Sequence, residues 1–184
     1  MPVVKTKTTF LQMFTPVTAA VSVPRNDVTA LRTDQPTVEF YRHLYRRVGS
    51  EWNWVDRLVM PPDELKAILE DERVDLWVLH LKGTPVGYAE LDRRIPGEIE
   101  LVYFGLFPEV IGQGLGKYFL NYTLRWAWEQ QPRRVWLHTC DLDHPAALTN
   151  YLKAGFQIYD EVTMDQWIPS TTTSSDRASE EPEA

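Results

Sequence analysis

Glu98-Ile99-Glu100-Leu101-Val102-Tyr103-Phe104-Gly105-Leu106-Phe107-Pro108-Glu109-Val110-Ile111-Gly112-Gln113-Gly114-Leu115-Gly116-Lys117 is the stretch on which the fold of this chain turns. From Glu98 to Leu101 acidic and apolar residues alternate, the period of a strand with one face buried, and the strand runs to about Phe107. From Gly114 the period changes to that of a helix. Leu115, Phe119, Tyr122 and Trp126 share one face, Leu120, Leu124 and Ala127 lie beside it, and Gln131-Pro132 stops it after Glu129. Between the two sit the glycines of Ile111-Gly112-Gln113-Gly114-Leu115-Gly116-Lys117. Glycine tolerates positive φ and lets the backbone approach a ligand closely. N–H groups at a helix start carry partial positive charge, which suits a pyrophosphate. A flexible turn where a helix packs tightly on a sheet is the other reading of the same residues.

Outward from this unit, Val135–Cys140 alternates as a strand, so 98–140 reads as a right-handed strand–helix–strand crossover with parallel strands. Pro145–Ala154 is a helix opened by proline and closed by Gly155, and Phe156–Ile168 supplies the last strand or two. Upstream, Val74–Leu81 and Val86–Asp92 are strands joined at Lys82-Gly83-Thr84-Pro85. Arg94-Ile95-Pro96-Gly97 turns the chain into the strand at Glu98, completing an antiparallel meander. Thr37–Val48 is a helix with Phe40, Leu44 and Val48 on one stripe. Pro61-Pro62-Asp63-Glu64 opens another through about Asp71, and Phe10–Phe14 is a first strand. The expected fold is α/β (α+β): a single mixed sheet, an antiparallel meander followed by a βαβ crossover, with helices on both faces. Residues 1–7 are expected to be a flexible start and 8–169 the domain. Residues 170–184, beginning Ser170-Thr171-Thr172-Thr173, are expected to be a disordered acidic tail.

At 184 residues, 43% of them hydrophobic and 12% aromatic, the chain has enough apolar side chains for one packed core. No apolar run reaches the length of a membrane span, so no membrane partner is expected. The formal charge of −7 argues against nucleic acid, which calls for a basic stripe. Cys140 is the single cysteine. That excludes an internal disulfide and, with an opening that lacks the apolar stretch of a secretory signal, favours a cytoplasmic protein. Cys140 itself reads as a small core residue.

Two familiar phosphate loops fail against the glycine turn. A P-loop needs glycine at Ile111 and serine or threonine at Tyr118, and the dinucleotide pattern needs glycine at Lys117. The turn resembles instead the coenzyme A loop of the GNAT superfamily of N-acetyltransferases, whose pattern is Gln/Arg-x-x-Gly-x-Gly/Ala between a strand and a long helix. His144-Pro145-Ala146-Ala147-Leu148-Thr149-Asn150-Tyr151-Leu152-Lys153-Ala154-Gly155-Phe156 is similar to the family segment Asn-x-x-Ala-x-x-x-Tyr-x-x-x-Gly-Phe. The meander, the crossover and a final hairpin follow the family's order over about residues 8–168. Ile111 stands where the family has Gln or Arg, and His144 where it has Asn.

The resemblance implies an acyltransferase that passes an acetyl group from acetyl-CoA directly to a primary amine of a small molecule or peptide, with no metal. A non-catalytic acyl-CoA-binding module, or an acyltransferase acting on a protein, are the alternatives. Family members are often dimers, so a homodimer is an open expectation. The residues placed at the cofactor are Leu106, Phe107, Ile111, Gly112, Gln113, Gly114, Leu115, Gly116, Lys117, Asn150 and Tyr151.

Amine attack on a thioester needs a base, donors facing the carbonyl oxygen and an acid for the leaving thiolate. Tyr151 is the acid candidate, against the reading that it packs the last helix on the sheet. Glu100 leads as base, against a solvated strand face, and His138 is second. Around the acceptor, Tyr45, Trp52, Trp54 and His138 are the candidates. The two tryptophans either form an aromatic wall or cap the core edge.

Overall fold

A computed structural model describes residues 3–18 and 20–167. The chain runs through strand β1 (Val3–Met13), β2 (Val28–Thr33), helices α1 (Val38–Gly49), α2 (Asp56–Val59) and α3 (Pro62–Leu69), then strands β3 (Val74–Leu81), β4 (Thr84–Asp92) and β5 (Glu98–Leu106). A 3-10 turn at Pro108–Val110 leads to α4 (Leu115–Glu129), β6 (Arg134–Cys140), α5 (Ala147–Lys153) and β7 (Gln157–Trp167). The seven strands form one sheet in the order β2-β3-β4-β5-β6-β1-β7. The β5–β6 pair is parallel, as the crossover through α4 requires, and the other neighbours are antiparallel.

Both faces of the sheet are covered, because alternate strand residues point to opposite sides. Leu76 and Val78 of β3 and Tyr88 of β4 pack with Tyr41, Leu44 and Val48 of α1 and Leu65 of α3. On the other face Trp77, Leu79, Ala89 and Leu91 pack with Leu115, Phe119 and Leu124 of α4. Thr37 starts α1 by accepting from the Phe40 N–H at 3.1 Å, as an N-cap residue does. Close approach of α1 to the sheet depends on Gly105, where a methyl group would sit 2.2 Å from Val48 Cγ1.

Three expectations are corrected. The first strand begins at Val3 and ends at Met13, so Val3–Lys7 is paired backbone: Thr6 lies opposite Met164 and Lys7 opposite Thr163. Threonine and lysine alternate there with Thr6 and Thr8 buried, a strand pattern that carries little hydrophobicity. Strand β2 is a short edge strand with only Val28 and Ala30 buried, too brief for a periodic signal. The expected final hairpin does not form. Residues 157–167 are one strand, and β1 lies between β6 and β7, with Thr8 opposite both Cys140 and Val162. The last helix also starts two residues later than expected, at Ala147. The expected tail at 170–184 lies outside the described residues.

Candidate active site

Strands β5 and β6 pair only at Glu98–Arg134, Ile99–Val135 and Glu100–Trp136. Beyond Glu100 they part, and β5 runs on to Leu106 with one edge lacking a strand partner among the described residues. A bulge adds to the divergence, since Glu90 and Leu91 of β4 oppose Tyr103 and Leu101 and leave Val102 between them. A cavity of about 710 Å³ occupies the gap.

One end of the cavity is the glycine turn. Gly112 and Gly114 have φ of +84° and +78°, values costly for any residue with a side chain, and the space where their Cβ atoms would stand is open. Among the described residues no side chain caps the start of α4, so its first N–H groups face the cavity mouth without a capping acceptor. Gly116 lies in the first turn, where a Cβ would make only ordinary contact with Leu106 Cδ1 at 3.6 Å. Ile111 and Lys117 are exposed and border the cavity. A distant segment also reaches the turn from outside the cavity. Arg25, paired with Asp27, holds Gln113 Oε1 at 3.3 Å from its Nη1. Nothing in the local sequence around the turn announces Arg25.

Asn150 and Tyr151 reach the same cavity from α5. His144, in place of the family's asparagine, accepts the Ala146 N–H on Nδ1 at 3.0 Å and so organises the start of that helix. Burial first, and then the charge of Asp143, hold the Tyr151 phenol above its ordinary pKa, so it stays protonated.

The sheet floor carries His138, half-exposed and bordering the cavity. Its Nδ1 lies 3.5 Å from Glu100 Oε1. The hydrogen bond to Glu100 is the main cause that raises the imidazole pKa, with desolvation opposing it and the Asp143 and Asp56 charges adding to it. Glu100 itself does not border the cavity. It sits at the apex where the strands part, behind His138, because residues 98 and 100 face the same side as Trp136 and His138. Of the two base candidates, His138 thus faces the cavity and Glu100 lies behind it.

The far end is aromatic. Tyr45, Trp54 and Tyr103 form a continuous group with ring centroids 5.1 to 5.4 Å apart. Trp54 donates its indole N–H to Asp143 Oδ1 at 3.1 Å. Asp143 Oδ2 also accepts from Thr139 Oγ1 and the Cys140 N–H. Trp52 stands edge-on to His144 at 5.1 Å. Beneath this wall Arg57 and Glu90 are buried and paired at 2.6 Å, Tyr41 donates to the same carboxylate, and the guanidinium lies 5.4 Å over Tyr103. Burial pushes the Glu90 carboxyl up, with Arg57 and Tyr41 opposing it.

Of the expected site residues, Leu106, Ile111, Gly112, Gly114, Gly116, Lys117, Asn150, Tyr151, Tyr45, Trp52, Trp54 and His138 all border the one cavity. Phe107 and Leu115 are buried in the two cores, and the Gln113 side chain turns to Arg25 and the Glu109 carbonyl. Cys140, expected in the core, borders the cavity half-buried. Thr8 and Phe10 of β1 and Asp143 were not anticipated. Thr8 and Phe10 reach the cavity only because β1 lies beside β6, and Asp143 reaches it from the turn after β6.

Comparison with known proteins agrees with this layout. The acetyltransferase (GNAT) family matches residues 27–156, from the start of β2 to the end of α5. Among curated proteins none matches significantly by sequence. Solved structures share the fold. A Staphylococcus epidermidis protein of unknown function has a TM-score of 0.62 at 16% identity, over 86% of this chain and 60% of that one. An aminoglycoside acetyltransferase from an uncultured soil metagenomic sample has 0.59 at 16%, over 71% and 88%. A GCN5-related N-acetyltransferase from Kribbella flavida has 0.60 at 18%, over 86% and 57%. The chain thus spans less than two thirds of the first and third of these proteins. No helix among the described residues is long and apolar enough to cross a membrane.

Proposed function

Because the chain belongs to the acetyltransferase (GNAT) family, we propose that it transfers an acetyl group from acetyl-CoA directly to a primary amine of a small molecule or peptide. The observation that carries this reading is the single cavity joining an uncapped, glycine-lined helix start to His138 and Tyr151 across the gap between β5 and β6. The cradle fits the diphosphate of the carrier: open space lies where the Gly112 and Gly114 side chains would be, and Lys117 at the cavity edge supplies positive charge. The partnerless edge of β5 near Gly105–Leu106 offers main-chain groups to the pantetheine arm and the acyl oxygen.

When bound, acetyl-CoA supplies an acyl carbon whose bond to sulfur breaks as the bond to nitrogen forms. The protein moves the protons. His138 takes one from the incoming ammonium, and Glu100 stabilises the imidazolium so produced. Tyr151 keeps its phenol proton until a thiolate requires it. Asp143 holds Trp54 in place and turns no free oxygen to the reaction.

Calorimetry with coenzyme A and thiol release from acetyl-CoA with a panel of amines test the proposal. Binding together with amine-dependent thiol release and an acetylated product by mass spectrometry is the expected result. Binding without release on any amine would reduce the protein to a non-catalytic acyl-CoA module, and absence of binding would remove the reading altogether.

A further inference from the structure

We propose that the acceptor is a primary amine joined by a short linker to an aromatic ring. This rests on acetyl transfer as proposed above and names its second substrate. The cavity end away from the glycine turn is walled by Tyr45, Trp52, Trp54 and Tyr103, with Phe10 on the sheet side. This wall is rigid. Tyr45, Trp54 and Tyr103 brace one another at 5.1 to 5.4 Å, and the Trp54 indole is tied to Asp143. Gly49 lies so close that a methyl group there would stand 2.4 Å from Trp54 Cβ. A ring of this kind keeps its shape when a ligand enters, so a flat apolar body is bound without ordering the protein first.

The charges around the wall are few. Asp143 already receives three donors, from Trp54, Thr139 and Cys140. Asp56 borders the cavity beside Trp54, is exposed, and its carboxylate makes no hydrogen bond or ion pair among the described residues. Its charge is felt at Tyr45, Tyr103 and His138, which line the same cavity. One unengaged carboxylate and a wall of four aromatic side chains fit one ammonium on a flat body. A polycation requires several spaced carboxylates, and the remaining one at the cavity, Asp165, lies out on the edge strand β7 opposite Lys5. The ring seats on Trp54, Tyr103 and Trp52, the ammonium enters past Asp56, and its nitrogen meets His138.

The test compares 2-phenylethylamine with hexylamine, spermidine and kanamycin, both in thiol release from acetyl-CoA and in quenching of tryptophan fluorescence with coenzyme A present. Phenylethylamine is expected to exceed hexylamine in kcat/KM by about tenfold, the worth of one or two aromatic contacts. Trp52→Ala and Asp56→Asn are each expected to lower that value several-fold, chiefly through KM. Trp52 is half-exposed with His144 as its ring neighbour, so its loss leaves the core intact. Preference for spermidine or kanamycin, or a phenylethylamine advantage unchanged in both variants, would overturn the inference while leaving acetyl transfer standing. If no amine is acetylated, the fluorescence titration decides alone: saturable quenching by phenylethylamine supports the aromatic site, and no quenching overturns it.

Discussion

Gly116→Ala separates folding from cofactor binding, because the two should change in opposite directions. Gly116 is helical, with φ in the ordinary range, and its new methyl group would meet Leu106 Cδ1 at 3.6 Å, a normal contact. Replacing glycine by alanine in a helix gains up to about 1 kcal/mol. For a domain of this size that raises Tm by about 2–4 °C. The same methyl group narrows the cradle at the start of α4, where the proposed diphosphate lies against main-chain N–H groups. Losing one hydrogen bond to a charged ligand costs about 1.5–3 kcal/mol, a weakening of roughly ten- to hundredfold in Kd. Gly114→Ala is the control. At φ +78° alanine is strained by about 1–2 kcal/mol although no atom lies within 4 Å, so this variant loses both Tm and affinity. Differential scanning calorimetry and isothermal titration with coenzyme A read both quantities. A Gly116→Ala protein that is more stable and binds coenzyme A as tightly as the wild type would refute the placement of the diphosphate.

Glu100→Gln removes the main cause of the raised His138 pKa, so the acid limb of the kcat/KM profile moves to lower pH while the variant still turns over; an unmoved limb would exclude His138 as the titrating base. The sign in stability follows from the same shift. The raised folded pKa means the Glu100–His138 pair contributes fully below the ordinary imidazole range, and the contribution is lost as pH rises through the folded pKa. The difference in Tm between wild type and Glu100→Gln should therefore shrink from pH 6 to pH 9. Tyr151→Phe keeps the ring that packs edge-on to Phe156 at 6.1 Å and loses only the phenol proton, so kcat falls at least tenfold with coenzyme A affinity unchanged in titration. Arg57→Met strands the buried Glu90 carboxyl and costs about 3–5 kcal/mol, whereas Arg57→Met with Glu90→Leu recovers most of it; chemical denaturation of both variants checks the pairing.

Much of the site was readable locally. The glycine turn, the helix that carries Tyr151 and the loop tryptophans are each set by short-range chemistry: positive φ at a helix start, a proline-led helix closed by glycine, aromatic residues bunched in a loop; Tyr151 itself is marked by the resemblance of its segment to the family's. The crossover from Glu98 to Cys140 was legible for the same reason, since a period-2 run, a turn and a period-3.6 run dictate their own shapes. Glu100 and His138 are both legible as base candidates, but the sequence ranks Glu100 first, and only the register Glu100–Trp136 between strands joined by a whole helix puts His138 at the cavity with Glu100 behind it.

What no local pattern contained was the seat of β1. Its threonines and lysines resemble a polar edge, yet pairing with β6 and β7 buries Thr6 and Thr8 and brings Phe10 to 5.7 Å from His138. Pairing of that kind is a long-range choice, decided by which backbone edge is left open once the crossover has formed. The same holds for Arg25 at the glycine turn and for Asp143 under Trp54, 89 residues apart in the chain. Propensity and periodicity specify an element and its buried face. Which elements become neighbours, and hence which side chains share a cavity, is settled only when the whole sheet closes its hydrogen bonds.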